Sequence, residues 1–338
     1  MLQAVHDETE LETDMKRREF LGFAGGAAAW PLTTVQAQQP LPVIGFLNSG
    51  SPGGFDGALK AFYRGLLESD LAEGRNFVIE ARWAEGEYGR LPELAADLVA
   101  RRVAVIVANG PAVLSVKAAT STIPIVFTAG FDPVEFGLVA SLGRPGGNLT
   151  GVSILNSELG PKRLELLREL APAVTVMALL VNPANPNAES ISNDVRATAK
   201  NWGLQVHTLE ASSEQGIVDG FAKFAELRVG GLVIGNDPFF TSRGRLLAGL
   251  AFRQAVPAIA QYREFVAAGG LMSYGGSLTG AYHLAGNYAG RILKGEKSAD
   301  LPVQQSTTVE LAINLKTAKA FGLSVPLSLL GRADDVIE

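Results

Sequence analysis

The chain has 338 residues with a formal net charge of −5, and 47% of its residues are hydrophobic. This length is about twice that of a common domain, and the hydrophobic content is sufficient for two sizeable cores. The acidic balance without basic blocks argues against a nucleic-acid partner. The absence of cysteine excludes disulfides, thiolate metal sites and a lipid-anchored cysteine.

The chain starts with a segment that looks like a twin-arginine export signal. Arg17 and Arg18 are followed by Phe20 and Leu21, and then by a weakly apolar stretch that is too short to span a bilayer. The alternative is an amphipathic surface helix with a chance arginine pair. We expect export to the periplasm by the twin-arginine machinery, with cleavage after small residues near Ala37.

Residues 1–14 are acidic, whereas the start of an export signal is positively charged. We therefore expect translation to begin at Met15, and the acidic prefix to be an artefact of the assigned start. Residues 1–37 as a whole form the predicted leader. Beyond it, no run of about 18 apolar residues predicts a membrane-spanning helix.

After the leader, short apolar runs alternate with helical patterns. The runs at residues 43–47, 77–80, 103–108 and 123–127 have the composition of buried strands. Apolar residues at helical spacing, such as Leu59, Phe62 and Leu66, follow the first of them. This alternation predicts a parallel sheet with helices on both faces.

The same order of elements recurs about 130 residues later. Strands predicted at residues 176–181, 204–207, 232–234 and 256–259 follow one another as the first four do. Because short apolar runs often match by chance, the shared order is the stronger argument. It predicts an α/β protein of two doubly wound, Rossmann-like lobes.

Two segments read as passages between the lobes. Residues 146–153 and 269–276 are Gly-rich turns with a short apolar stretch and no core helix of their own. A last strand at residues 309–314 precedes a helix and a polar tail. Three passages of the chain between the lobes would form a hinge rather than a free linker.

Polar loops follow the predicted strands at the edge where open α/β sheets bind ligands. If the two edges face each other, they form a cleft of the kind that holds small molecules. The Gly-rich turn that starts at Asn48 suits a carboxylate or phosphate, or is an ordinary connection between a strand and a helix. Asp132 is placed to cap the helix that follows it.

No catalytic set emerges from the sequence. Neither His207 nor His283 has a partner at metal-ligand spacing, and no nucleophile motif is present. We therefore expect no metal, no cofactor and no enzymatic activity. The loop residues are of the kinds that hold a polar solute without reacting with it.

The chain from Lys16 to Glu338 resembles the ABC transporter substrate-binding proteins related to tryptophan/tyrosine-type uptake receptors. The resemblance rests on Pro42-Val-Ile-Gly-Phe-Leu47, Thr122-Ile-Pro-Ile-Val-Phe127, Arg144-Pro-Gly-Gly-Asn148, Lys162-Arg-Leu-Glu-Leu-Leu167, Leu180-Val-Asn-Pro183, Gly269-Gly-Leu-Met-Ser-Tyr-Gly275 and Gly290-Arg-Ile-Leu-Lys-Gly-Glu296. It implies the type I periplasmic-binding architecture. Lobe one would comprise residues 41–152 plus 276–305, and lobe two residues 153–275 plus 306–338.

The resemblance also implies a ligand between the lobes. Its carboxylate would contact Asn48, Ser49, Asn109, Gly110 and Thr128. An ammonium would bind the carboxylate of Asp237, unless that residue only caps the following helix. The remaining candidate contacts are Asp132, Ser153, Asn182, Asn185, Asn236 and Tyr274.

The function that the resemblance implies is a periplasmic receptor that delivers a small organic solute, such as an amino acid or a related carboxylate, to an ABC permease in the inner membrane. One alternative is a ligand-sensing protein for a membrane signalling partner. The other is an exported α/β enzyme, which the lack of a nucleophile–base pair disfavours.

Overall fold

The computed structural model describes residues 40–154, 156–306 and 308–338. The predicted leader lies outside these ranges, and with it the arginine pair and the cleavage position. Within the described ranges, no helix is both long and apolar enough for a bilayer crossing.

Strands and helices alternate along most of the described chain. The strands are β1 (Val43–Asn48), β2 (Val78–Trp83), β3 (Val105–Asn109), β4 (Ile125–Ala129), β5 (Leu149–Ser153), β6 (Val176–Val181), β7 (Gln205–Glu210), β8 (Gly231–Ile234), β9 (Ala258–Ala260), β10 (Met272–Gly276), β11 (Gln304–Gln305), β12 (Val309–Asn314) and β13 (Asp335–Ile337). The helices are α1 (Asp56–Leu67), α2 (Leu91–Ala100), α3 (Ala112–Ala119), α4 (Gly160–Leu170), α5 (Ala188–Asn201), α6 (Glu214–Ala222), α7 (Phe224–Leu227), α8 (Pro238–Ser242), α9 (Gly244–Arg253), α10 (Arg263–Ala267), α11 (Leu278–Leu293), α12 (Leu315–Ala320) and α13 (Leu327–Leu330).

The strands form two sheets with the same internal order. The first sheet runs β11-β5-β4-β3-β1-β2, and the second runs β13-β12-β10-β9-β8-β6-β7. The first five strands of each lobe pair in parallel and in the same sequence of neighbours. The internal repeat predicted from the apolar runs is therefore confirmed, and so is the doubly wound α/β class.

Each sheet is covered on both faces. In the first sheet, Phe46 packs with Phe62 under α1 and α11, while Ile106 packs with Leu98 and Val116 under α2 and α3. The second sheet has two corresponding cores. Burial on both faces explains why the strands are continuous apolar runs rather than alternating ones.

Helix α11 belongs to the first lobe, although it follows β10 of the second. It lies against α1 so closely that a Cβ on Gly286 would stand 2.0 Å from the carbonyl oxygen of Phe62. A Cβ on Gly65 would stand 2.0 Å from the carbonyl oxygen of His283. The two glycines therefore set the distance between these helices.

The chain passes between the lobes after β5, after β10 and after β11, as the sequence predicts. Arg163 on α4 joins strand β10 to the passage after β5, because its Nε donates to the carbonyl oxygen of Tyr274 at 2.8 Å and its Nη2 to that of Asn156 at 2.9 Å. Burial lowers the pKa of Arg163 to about 10, so the guanidinium stays charged near neutral pH. The individual lobe boundaries given above remain predictions.

Two sequence-based expectations are wrong in detail. Residues 272–276, expected as part of a passage, form strand β10 within the second sheet. The expected polar tail instead forms α13 and β13, and β13 pairs in parallel with β12. Asp334 fixes this end, since its Oδ2 accepts the N–H of Leu311 at 2.8 Å.

Candidate functional site

A cavity lies where the carboxyl edges of the two sheets face each other. The space between the atoms here is about 430 Å³ with open solvent at its mouth included, and the centre of a water-sized sphere reaches about 30 Å³ of it. Gly110, Pro111 and Thr128 of the first lobe line it together with Asn236 and Pro238 of the second. Both lobes therefore contribute to one small-molecule site.

The cavity walls combine amides, hydroxyls and aromatic rings. The amides are Asn109, Asn185, Asn187 and Asn236, the hydroxyls are Thr128 and Thr241, and the rings are Phe55, Phe131, Tyr262 and Tyr282. Among the described residues that line the cavity there is no Asp, Glu, Lys, Arg or His. Such walls suit a solute without net charge.

In the first lobe, the loops after β1 and β3 hold each other. Asn109 Oδ1 accepts the backbone N–H of Ser49 at 2.7 Å, and Ser49 Oγ donates to the carbonyl oxygen of Asn109 at 2.8 Å. Ser49 Oγ also accepts the N–H of Ala112 at the start of α3, at 2.9 Å. These bonds occupy Asn109 Oδ1, so the amide nitrogen of Asn109, which also hydrogen-bonds the Tyr282 hydroxyl, is the atom that can donate to a ligand.

Asn48 supports the cavity from behind its wall. Its Nδ2 donates to the hydroxyl of Tyr282 at 3.0 Å, and its Oδ1 accepts the N–H of Gly50 at 2.8 Å. Burial raises the pKa of the Tyr282 hydroxyl, which therefore stays protonated and neutral. Asn48 and Ser49 lie behind the residues that line the cavity.

In the second lobe, the central residue is Asp237, which is 1% exposed. Its Oδ1 accepts hydrogen bonds from Phe239 N–H at 2.8 Å and Asn182 Nδ2 at 3.3 Å, and its Oδ2 accepts one from Asn185 Nδ2 at 2.7 Å. Burial raises the pKa of this carboxyl, and the four hydrogen bonds it accepts act in the opposite direction.

The fourth hydrogen bond comes from the other lobe. The hydroxyl of Tyr88, which follows β2, donates to Asp237 Oδ1 at 2.7 Å. Burial and the charge of Asp237 raise the pKa of Tyr88 well above its usual value, so Tyr88 keeps its proton and remains a donor. This bond joins the lobes in a closed arrangement.

Further contacts between the lobes surround this bond. Ser51 N–H donates to Ser242 Oγ at 2.8 Å, and Arg243 Nη1 donates to Ser51 Oγ at 2.7 Å. A Cβ on Gly110 would stand 2.9 Å from Cγ of Pro238. The loop that carries Asp237 is thus packed into the first lobe.

For Asp237, the predicted acceptor of an ammonium, the geometry shows partners within the protein. Its oxygens accept four donors from the protein, and the residue is absent from the cavity walls. The other reading, a helix cap, is confirmed: Asp237 is the N-cap of α8 and accepts the N–H of Phe239.

Five of the predicted contact residues line the cavity: Asn109, Gly110, Thr128, Asn185 and Asn236. Four others besides Asn48, Ser49 and Asp237 lie outside its walls. Asp132 accepts the N–H of Val134 at 2.7 Å and so caps a turn rather than the expected helix. Ser153 donates to the carbonyl oxygen of Phe131, Asn182 binds Asp237, and Tyr274 accepts from Arg163.

Sequence reasoning missed most of the apolar wall. Tyr262 and Tyr282 fit apolar helix patterns, and Phe55 and Leu278 begin helices next to polar turns. Phe131 and Asn187 lie in the same loops as residues that were singled out, so loop membership could have indicated them. The two tyrosines carried no such signal.

These features define a two-lobed α/β ligand-binding protein of the type I periplasmic-binding fold. The model of the family described as ABC transporter substrate binding protein matches residues 47–337. The chain therefore belongs to that family, whose members bind small ligands.

Individual relatives are consistent with membership of this family. A tyrosine-binding protein of Clostridioides difficile (strain R20291) is 28% identical over 269 residues, which are 79% of this chain and 77% of the relative. A crystal structure of a conserved domain protein from Vibrio cholerae has a TM-score of 0.79 at 25% identity and covers 88% of this chain and 100% of its own. A structure of an ABC domain from Streptococcus pneumonia in complex with L-Trp has a TM-score of 0.75 at 26% identity, covering 87% and 100%.

The bond between Tyr88 and Asp237 yields a prediction about closure. Tyr88→Phe should destabilise the closed arrangement by about 1.5–3 kcal/mol, because it removes a donor to a buried carboxylate. Small-angle scattering should then show a larger radius of gyration, and the melting temperature should fall.

Tyr63→Phe is the matched control, since the Tyr63 hydroxyl donates to Glu73 within the first lobe and at the surface. It should leave both measurements unchanged. If Tyr88→Phe behaves like this control, the bond does not hold the lobes together.

Proposed function

We propose that this protein is the periplasmic receptor of an ABC importer and that it binds an amino acid with an aromatic side chain between its lobes. The observation that carries this proposal is that the two lobes line the cavity with different kinds of hydrogen-bonding group. The first lobe offers hydrogen-bond donors, the second offers acceptors, and the described wall residues carry no charge. A zwitterion matches such walls because its two ends carry opposite charges and its net charge is zero.

The first lobe suits the carboxylate. Asn109 Oδ1 is taken by Ser49, so the amide nitrogen of Asn109 is its donor to the cavity. Helix α3 begins directly after Pro111 at the cavity wall, and the N-terminus of a helix favours negative charge. Thr128 adds a hydroxyl beside them.

The second lobe suits the ammonium. Asn236 Nδ2 donates to Ser157 Oγ at 3.1 Å and Asn187 Nδ2 donates to Asn185 Oδ1 at 3.2 Å. The Oδ1 atoms of Asn236 and Asn187 are therefore the acceptors, and no donor from the described residues occupies them. Asp237 lies directly behind Asn236, and its buried negative charge favours a cation at this end.

The aromatic rings suit an aromatic side chain. Phe55, Phe131, Tyr262 and Tyr282 give the cavity apolar faces on which a ring packs favourably. The relatives support this choice, since one is a tyrosine-binding protein and another was solved with L-Trp. Amides and rings hold such a solute without a general base, which favours binding over catalysis.

Calorimetry with the purified chain tests the ligand class. L-Tyrosine or L-tryptophan should bind with a Kd of about 10 µM or tighter. Tyramine lacks the carboxylate and 3-(4-hydroxyphenyl)propanoate lacks the ammonium, so each should bind at least about tenfold more weakly.

D-Arabinose, an uncharged sugar, is the control and should give no heat of binding. Tighter binding of the sugar than of either amino acid would contradict the proposal. Equal affinity for tyramine and L-tyrosine would show that the first lobe does not receive a carboxylate.

Delivery to an inner-membrane ABC permease requires the receptor to be in the periplasm, and the arginine pair in the leader supports that location. The double variant Arg17→Lys with Arg18→Lys should leave the precursor in the cytoplasm, because the export machinery reads guanidinium groups that lysine does not supply. Cell fractionation and immunoblotting measure this.

Deletion of residues 1–14 is the control, and export should continue without the acidic prefix. Periplasmic protein from the double-lysine variant at the normal level would contradict twin-arginine export. Loss of export on deletion of residues 1–14 would show that the prefix belongs to the protein.

A further inference from the structure

A second, smaller pocket adjoins the cavity between the lobes. It lies within the second lobe, and Thr241 and Tyr262 line both spaces. Most of its wall is apolar, formed by Ile234, Phe240, Leu247, Ala260 and Phe265. We call it the side pocket.

One polar group in the side pocket is the amide of Gln261, a residue that is 3% exposed. Thr241 Oγ1 donates to the carbonyl oxygen of Asp237 at 3.0 Å, so it can only accept from Gln261. Gln261 Nε2 is therefore the atom that faces Thr241, at 3.0 Å. This leaves Oε1 as the free end, and it is buried without a donor among the described residues.

The second polar group is the carboxyl of Glu264. Its Oε2 is buried and also lacks a hydrogen-bond donor among the described residues. Burial raises the pKa of Glu264. Two oxygen acceptors thus lie in one apolar pocket, where an unsatisfied polar atom is costly.

We propose that the side pocket is a second ligand subsite, which takes the far end of the solute's side chain, where a hydroxyl or a ring N–H is the hydrogen-bond donor, while the rest of that side chain packs on the rings of the cavity. The inference rests on the proposed function, because the rest of the solute would lie in the adjoining cavity. Thr241 and Tyr262 line both spaces, so both contact the solute where it extends from one into the other. A donor at the far end satisfies Gln261 Oε1, Glu264 Oε2 or both.

A pair of small probes tests the subsite without the amino-acid part of the ligand. Phenol carries a donor on a ring, and fluorobenzene is nearly the same size without one. Phenol should bind the protein about three- to tenfold more tightly, measured by NMR titration. The side-chain amide signal of Gln261 should shift with phenol.

Two variants remove one acceptor each. Glu264→Gln replaces a carboxyl oxygen by an NH2 group, and Gln261→Met removes the amide while keeping the length of the side chain. Each variant that removes an acceptor used by phenol should lose the preference, so at least one of the two should abolish it. Thr208→Val is the matched control, because Thr208 Oγ1 is another buried atom that has no partner in the described part of the chain, and it lies on β7 away from both spaces. This variant should keep the preference.

Several results would overturn the subsite. Equal binding of phenol and fluorobenzene, or an unchanged preference in both Glu264→Gln and Gln261→Met, would do so. A crystal soaked with phenol that shows only ordered water at Gln261 Oε1 would have the same meaning. If phenol is preferred but no amino acid binds in calorimetry, the subsite is supported and the proposed ligand class is wrong. If an amino acid binds but phenol is not preferred, the ligand class is supported and the subsite is wrong.

Discussion

A buried carboxylate at the junction of the lobes sets the geometry of the site. Asp237 has no cationic partner among the described residues, and burying such a charge is costly unless hydrogen bonds compensate. Three donors belong to its own lobe, and the fourth is Tyr88 of the other lobe. Because only the closed arrangement supplies all four, the solvation of Asp237 is coupled to the position of the lobes.

The same network decides what the cavity presents to a ligand. Asn185 is turned towards Asp237, and Asp237 in turn caps α8, so the negative charge stays behind a wall of neutral amides. On the opposite side, Ser49 orients Asn109 in a comparable way. Buried polar groups that satisfy one another thus leave single, defined donors and acceptors for the solute.

Much of the fold could be predicted because it follows from local pattern. The apolar runs at β1 and β6 and the repeated element order indicated two parallel sheets, and loops at strand ends indicated Asn109 and Asn236. The role of Asp237 could not be predicted in full, since Tyr88 lies 149 residues away in sequence. Tyr262 and Tyr282 were missed for a related reason: an aromatic residue on an apolar helix pattern looks the same whether it faces a core or a cavity.

The central claim is that the lobes close on a ligand and that the bond between Tyr88 and Asp237 holds them closed. Because the chain has no cysteine, Lys60→Cys and Gln215→Cys place one spin label on each lobe without further changes. Double electron–electron resonance should show a shorter and narrower distribution of distances between the two labels with saturating L-tyrosine. The share of long distances should increase when Tyr88→Phe is added. The same distribution in all samples would contradict the account.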